Sequence, residues 1–366
     1  MFYAFLLLSI TIIFAPIFYF KKKAVGAYAA VAGCSGGHII PALTILGKLK
    51  EHDKNSKILF FSTNNILDNT ILRKNKIVDA HINLDLPNVT KKTLFYYPLF
   101  LGLSIFAFMR SFFLLCSFNP RELISTGGYV SIPVCVAAWL LKIPIVLYEL
   151  NVTPGKASKF LGPLASSIIV CFPEAKSSFG GNKTQVSNYP VRFNAEILTI
   201  DKLKARQILQ VDRNKKTLFI IGGSQGSEFI NNLIKDWVKN NHDLSNIQII
   251  HQTGKNNLKD LVNFYHEEKV KAYLFDYKED INLCYSAADI IVSRAGAGSL
   301  AEIIFFKKQA IVIPLFTKEN QHQVENGRSI QITHPELIKV CDQRIIEKDK
   351  SKFFDLLNNL LSKITY

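Results

Sequence analysis

Short runs of small or branched apolar residues alternate along this chain with longer stretches whose apolar positions recur every three or four residues, the rhythm of strands followed by helices. Val25 to Ala32, Ile58 to Ser62, Ala80 to Leu84, Glu122 to Ser125, Ile145 to Leu147 and Ser167 to Cys171 read as buried strands. Between them lie helical segments such as Ala42 to Lys50, with Leu43, Leu46 and Leu49 on one side, and a polar helix around Leu67 to Asn75. At Ser187-Asn188-Tyr189-Pro190-Val191-Arg192 the pattern breaks, and it restarts with strands at Lys216 to Ile221, Ile247 to His251, Ala272 to Phe275, Asp289 to Ser293 and Ala310 to Pro314. Apolar strands without polar alternation, separated by helices, predict parallel sheets covered on both faces. The chain is therefore expected to be α/β, with Rossmann-like domains at 24–190 and 191–345. A last helical stretch, 346–366, is expected to pack back on the N-terminal domain.

Two apolar stretches stand outside this alternation. Met1 to Phe20 is long enough as a helix to cross a bilayer and is followed by Lys21-Lys22-Lys23. Lysines after the apolar run predict a membrane anchor, spanning or lying in the interface, at 1–23 with its carboxyl side in the cytoplasm. A cleaved signal fits poorly, because no positive residue precedes the run and cleavage at Ala27-Tyr28-Ala29 would remove the first strand. Leu94 to Phe118 is interrupted by Pro98, Gly102 and Arg110. It reads as a helix or helix pair with a membrane-facing side, or as an ordinary buried helix.

Composition narrows the partners. The 366 residues suit two cores, and a formal net charge of +15 predicts an anionic partner. Without an RNP-like motif, zinc-finger spacing or an arginine-rich arm, nucleic acid is set aside in favour of a phosphate ligand or an anionic membrane lipid. Six widely spaced cysteines without C-x-x-C pairs read as reduced residues rather than a disulfide framework or a metal site.

The candidate chemistry lies in glycine-rich turns where strands meet helices. The first is Ala32-Gly33-Cys34-Ser35-Gly36-Gly37-His38-Ile39-Ile40-Pro41, and others begin at Thr126-Gly127-Gly128-Tyr129, Gly222-Gly223-Ser224-Gln225-Gly226 and Arg294-Ala295-Gly296-Ala297-Gly298-Ser299. Glycine lets backbone N–H groups approach a ligand and a helix start carries partial positive charge, so such turns suit phosphate. Glu149 and Asn151 follow a strand at its carboxyl end, where open α/β sheets hold ligands. Two βα domains, each opening on a glycine turn, predict two facing nucleotide-type folds with a cleft between them, an arrangement suited to two substrates. Neither opening turn has the G-x-G-x-x-G spacing with a following acidic residue that a dinucleotide oxidoreductase needs.

In order and without large gaps, from about Val25 to the end, the chain resembles the MurG family of N-acetylglucosaminyltransferases, in glycosyltransferase family 28 of the two-domain GT-B superfamily. Gly33 to Pro41 stands for the family's G-G-T-G-G-H-x-x-P, Gly127 to Pro133 for G-G-Y-V-S-x-P, and Glu149 to Gly155 for E-Q-N-x-x-P-G. Asn188 to Arg192 stands for G-N-P-V-R, Gly222 to Gly226 for G-G-S-Q-G, Arg294 to Glu302 for R-x-G-A-x-T-x-x-E, and His322, Gln323 and Asn326 for H-Q-x-x-N. The resemblance implies inverting transfer of N-acetylglucosamine from UDP-N-acetylglucosamine to the 4-hydroxyl of undecaprenyl-pyrophosphoryl-N-acetylmuramyl-pentapeptide, at the cytoplasmic face of the inner membrane, beside other cell-wall synthesis proteins. It implies His38 as general base and Glu302 on the ribose hydroxyls. Ser224 and the turn Gly296, Ala297, Gly298, Ser299 and Leu300 would face the pyrophosphate, and backbone near Lys278 the uracil. Arg192, Asn151, Gln321, His322 and Gln323 would line the donor sugar side, with Ser35, Gly36 and Gly37 on the shared diphosphate. Gly127, Gly128, Tyr129 and Glu149 would lie toward the acceptor. Helix starts and Arg192 can meet the charge of departing UDP, so no metal or other cofactor is required.

Several positions depart from the family pattern: Cys34 for glycine, Ser35 for threonine, Tyr148 and Leu150 around Glu149, Tyr189 before Pro190, and Lys278 where an apolar residue is common. The His322-Gln323 loop is one residue longer. Two alternatives are another GT-B glycosyltransferase with a lipid acceptor, and a non-catalytic membrane-anchored subunit that binds a nucleotide sugar.

Overall fold

The protein was analysed as a computed structural model, which describes residues 26–33, 35–86, 97–223, 226–241, 243–278, 280–317 and 321–365. The expected anchor at 1–23, together with Cys34 and Ser224, lies outside the described residues. The chain divides into two compact units, one of residues 1–149 and 154–187, the other of 150–153 and 188–366.

The first unit holds seven parallel strands, β1 (Ala27–Val31), β2 (Lys57–Thr63), β3 (Ala80–Leu84), β4 (Glu122–Ser125), β5 (Ile145–Glu149), β6 (Ser167–Val170) and β7 (Thr184–Val186), in the order β3-β2-β1-β4-β5-β6-β7. Apolar residues go to both faces of its centre. Ala29, Val31, Leu59 and Phe61 join one buried cluster, while Tyr28, Ala30, Ile58 and Phe60 join another. This two-sided burial explains why the strands read as unbroken apolar runs. The strand order reverses between β1 and β4, with Val31 opposite Ser125, so the segments leaving those two strands diverge and open a crevice at their carboxyl ends. The Gly33–His38 and Thr126–Gly128 segments begin there.

The second unit repeats the plan with β8 (Lys216–Ile221), β9 (Ile247–Gln252), β10 (Ala272–Phe275), β11 (Ile290–Arg294), β12 (Gln309–Ile313) and β13 (Ile338–Val340), again all parallel, in the order β10-β9-β8-β11-β12-β13. Its switch point lies between β8 and β11, where Ile221 is opposite Ser293. Gly222, which follows β8, and the turn before the Ala297–Phe305 helix leave from it.

Three regions sharpen or correct the sequence-based expectation. The stretch 94–118 is one continuous helix over its described part, Tyr97–Phe118. Pro98 falls in its first turn, where a missing N–H breaks no helical bond. The Arg110 guanidinium leaves the apolar surface by donating from Nη1 to the Asn83 carbonyl, 2.9 Å away. The C-terminal stretch forms two helices, Gln343–Lys348 and Ser351–Ser362, and the expected packing on the N-terminal domain is corrected. Phe353, Leu357, Leu360 and Leu361 bury themselves with Trp237 and Ile346 of the second unit, Trp237 Nε1 donates to Asn358 Oδ1 at 2.9 Å, and Lys216 Nζ donates to the Leu361 carbonyl. An apolar stripe at helical spacing finds its cover on its own sheet. The short strands β7 and β13 form at the sheet edges without a prior signal.

Candidate active site

In the first unit, β1 delivers the chain through Gly33 and Ser35 into the helix Gly36–His52, with His38 in its first turn. Ser35 precedes the helix in extended conformation, Gly36 is buried and Gly37 exposed. The two loops of the switch point hold each other reciprocally. Thr126 Oγ1 donates to the His38 carbonyl at 2.8 Å, and His38 Nδ1 lies 2.6 Å from the Thr126 carbonyl. A carbonyl oxygen only accepts, so Nδ1 carries the hydrogen and the lone pair is on Nε2, the tautomer a base needs. Gly127 and Gly128 follow at φ +98° and +88°, left-handed values that glycine takes without strain and that turn the chain sharply beside the histidine. Tyr129 donates to the Leu86 carbonyl at 2.9 Å, and buried Glu149 accepts from Gly155 N at 3.3 Å, stiffening the loop after β5.

In the second unit, the turn after β8 is closed tightly around glycine. A Cβ on Gly226, at φ +78°, would come within 2.7 Å of Gly254 Cα. Ser227 then caps the helix Glu228–Lys239 by accepting from Ile230 N. Arg294 binds this region together: its guanidinium donates to Ser227 Oγ, the Ile313 carbonyl and Gln343 Oε1, and burial lowers its pKa to about 10.

The Ala297–Phe305 helix starts from Gly296 and carries Glu302, which is only 8% exposed. Its carboxylate accepts from Arg192 Nε on Oε1 at 2.8 Å, from Arg192 Nη2 on Oε2 at 3.3 Å, and from the Tyr285 hydroxyl on Oε2 at 2.8 Å. Burial is the largest influence and disfavours the Arg192 charge, yet the Glu302 carboxylate, helped by Tyr285 and Tyr277, raises the pKa above the ordinary arginine value. Burial, reinforced by the Glu302 charge, pushes the Tyr285 phenol well above its ordinary range, so it remains a donor. Nothing in the sequence pattern marked Tyr285 as part of this set. Gly298 and Ser299 lie in the first turn of the same helix, and Tyr189 stands over Gly298, its hydroxyl 3.1 Å from where a Cβ would be. Leu300 turns inward: its side chain is wholly buried and its N–H donates to the Gly296 carbonyl.

The second unit also takes in residues 150–153. Fully buried Asn326 accepts from Val152 N at 2.9 Å and donates to Asn151 Oδ1 at 3.0 Å, fixing the Asn151 side chain. Gln323 Oε1 accepts from Leu315 N at 3.0 Å, while Gln321 is exposed and His322 half-buried at the start of Gln321–Thr333. The Lys278 ammonium lies 5.8 Å from the centre of the Tyr273 ring. Among the described residues no three His, Cys, Asp or Glu side chains gather as a metal site would require.

Two family profiles cover most of the chain. The Glycosyltransferase family 28 N-terminal domain matches residues 28–170, and the Glycosyltransferase family 28 C-terminal domain matches residues 217–344. A relative from Flavobacterium psychrophilum is 31% identical over 89% of this chain and 88% of its own length. The chain belongs to glycosyltransferase family 28. That relative, and another from Finegoldia magna that is 29% identical over 90% of this chain and 88% of its own, are named as UDP-N-acetylglucosamine–N-acetylmuramyl-(pentapeptide) pyrophosphoryl-undecaprenol N-acetylglucosamine transferases. Among solved structures, MurG of Acinetobacter baumannii matches with a TM-score of 0.68 and 22% identity, over 92% of this chain and 91% of that one. The family 28 fold, GT-B with two Rossmann-like domains, is thereby established for this chain.

Proposed function

We propose that this family 28 protein transfers N-acetylglucosamine from UDP-N-acetylglucosamine to the 4-hydroxyl of undecaprenyl-pyrophosphoryl-N-acetylmuramyl-pentapeptide, with inversion. The substrates come from the names of its relatives, and the observation that carries the chemistry is the His38–Thr126 pair. With Nδ1–H given to a carbonyl, the Nε2 lone pair takes the acceptor hydroxyl proton as that oxygen attacks the anomeric carbon. The bond from that carbon to the UDP oxygen breaks, and UDP leaves with the electron pair. The second unit holds the donor: Glu302 accepts from the ribose hydroxyls, and the helix start at Ala297, the turn at 222–226 and Arg192 meet the diphosphate charge. Asn151, set by Asn326, with Gln321, His322 and Gln323 lines the sugar. Those donors suffice for the leaving group, so the reaction needs no divalent cation or other cofactor.

The reading extends to the membrane. One side of Tyr97–Phe118 buries Ala107, Ser111 and Leu115, while the other exposes Leu99, Leu101, Ile105, Phe106, Met109 and Phe113. The stretch Leu99–Phe118 is long and apolar enough to cross a membrane, by length and composition, yet its inner side belongs to the first unit's core. An exposed apolar stripe on a protein of net charge +15 suits docking on an anionic bilayer from the cytoplasmic side.

Labelled UDP-N-acetylglucosamine mixed with the lipid acceptor should yield one inverted disaccharide-lipid product, with and without EDTA. Donor binding without transfer would favour a non-catalytic nucleotide-sugar-binding subunit. Activity lost in EDTA and restored by magnesium would overturn the cation-free step.

A further inference from the structure

The carboxylate of Glu302 is held from two directions by unlike groups. Arg192 approaches with a side chain still 23% exposed, whereas Tyr285 approaches from within the core, wholly buried. The phenol ring of Tyr285 cannot readily move. It stacks on Phe306 with centroids 5.1 Å apart and planes 3° from parallel, and meets Phe219 edge-on at 5.3 Å. Its hydroxyl therefore reaches Oε2 from a fixed point, 2.8 Å away.

A carboxylate that reads two neighbouring hydroxyls must present both oxygens in one plane, and its terminal torsion is otherwise broad. The guanidinium of Arg192 can be drawn away by a bound diphosphate, because it is a partly exposed cation. The Tyr285 hydroxyl has no such competing attraction and stays when a ligand arrives. We propose that Tyr285 is a positioning residue for the donor: it locks the plane of the Glu302 carboxylate so that the remaining acceptor sites face the paired hydroxyls of a ribose. This rests on the proposed nucleotide-sugar reading, and it assigns to the core of the second unit part of the discrimination between ribonucleotide and deoxyribonucleotide donors.

Tyr285→Phe tests it, since the ring keeps its stacking and only the hydroxyl goes. Binding of UDP and of 2′,3′-dideoxy-UDP is measured by titration calorimetry on the full chain, with thermal unfolding as a check on folding. The expected result is UDP affinity weaker by about five- to tenfold in the variant, the size of one lost charge-assisted hydrogen bond partly covered by Arg192. Dideoxy-UDP, which lacks the hydroxyls, should bind the variant as it binds the parent. Equal weakening for both nucleotides, or none for either, would overturn the assignment. Parent protein that binds UDP and dideoxy-UDP equally would remove the ribose contact and Tyr285's role with it, leaving the donor class standing. Parent protein that binds no UDP would sink the donor reading itself.

Discussion

The two units have the same strand order through their first six strands, yet they use the same crossover for opposite purposes. Between β3 and β4 the first unit inserts a 22-residue apolar helix, Tyr97–Phe118, whose outer side remains exposed. Between β10 and β11 the second unit inserts a seven-residue helix, Ile281–Ala287, almost wholly buried, and from it Tyr285 reaches Glu302. The strand–turn–helix openings differ likewise: the first ends on His38, held by a neighbouring loop, and the second on a serine cap anchored by Arg294. One architecture thus carries a loop-held histidine and an exposed apolar helix side in one copy, and charged and phenolic donors around a carboxylate in the other. The fold fixes where ligands sit, at the switch points, and the side chains placed there decide which ligand.

That division is open to direct attack. The largest effect is expected from His38→Ala, which should lower transfer by about 10²- to 10⁴-fold while leaving UDP affinity unchanged. If UDP affinity falls in parallel, the roles of the two units are not separate. Glu302→Gln should do the reverse, weakening UDP binding by about 30-fold, because the neutral amide loses one acceptor and the charge partner of Arg192. A saturated variant that still transfers at the parent rate would fit this assignment.

A third effect belongs to the core of the second unit alone. His251 is fully buried, with Nε2 donating to Asn231 Oδ1 at 3.0 Å and Nδ1 accepting from Tyr265 at 2.9 Å, and burial lowers its pKa from 6.5 to about 3. Above pH 6.5 neither the folded nor the unfolded imidazole is charged, and the site is neutral to stability. Below it the unfolded chain binds a proton that the folded chain refuses, so stability falls by about 1.4 kcal/mol per pH unit down to about pH 3. Urea unfolding between pH 7 and pH 5 should show this slope, and His251→Gln should flatten it. The smallest effect is expected from Phe106→Ser, on the exposed side of the long helix: co-sedimentation with anionic vesicles should weaken about fivefold, with UDP binding unaltered. Unchanged sedimentation would remove that residue from the membrane surface.

Much of this architecture was legible because parallel strands buried on both faces read as apolar runs; Ala80–Leu84 and Lys216–Ile221 match their expected bounds. Ile338–Val340 and Thr184–Val186 were not, because three residues containing Lys339 or Gln185 at a sheet edge carry too little apolar signal. The continuity of Tyr97–Phe118 was obscured by Gly102, which is exposed and meets nothing nearby, and by Arg110, whose charge escapes to a carbonyl. At the site, the glycine turns, His38 and Glu302 were visible as motifs. Tyr285 was not, since it sits 17 residues from Glu302 with β11 between them. Nor was the hold of Asn326 on Asn151, which joins residues 175 apart.

Under the proposed reaction, the reciprocal hold between His38 and Thr126 has a consequence for timing. The single Nδ1 hydrogen goes to a neutral carbonyl, so an imidazolium formed at His38 is steadied there by a dipole and not by a full negative charge. In the proposed reaction, the proton that His38 takes is therefore not trapped in an ion pair with that carbonyl. That arrangement suits a displacement in which the bond to the departing nucleotide is already stretched, and the sugar already cation-like, before the incoming hydroxyl surrenders its hydrogen. The timing of bond breaking would then be set by how well the second unit receives negative charge.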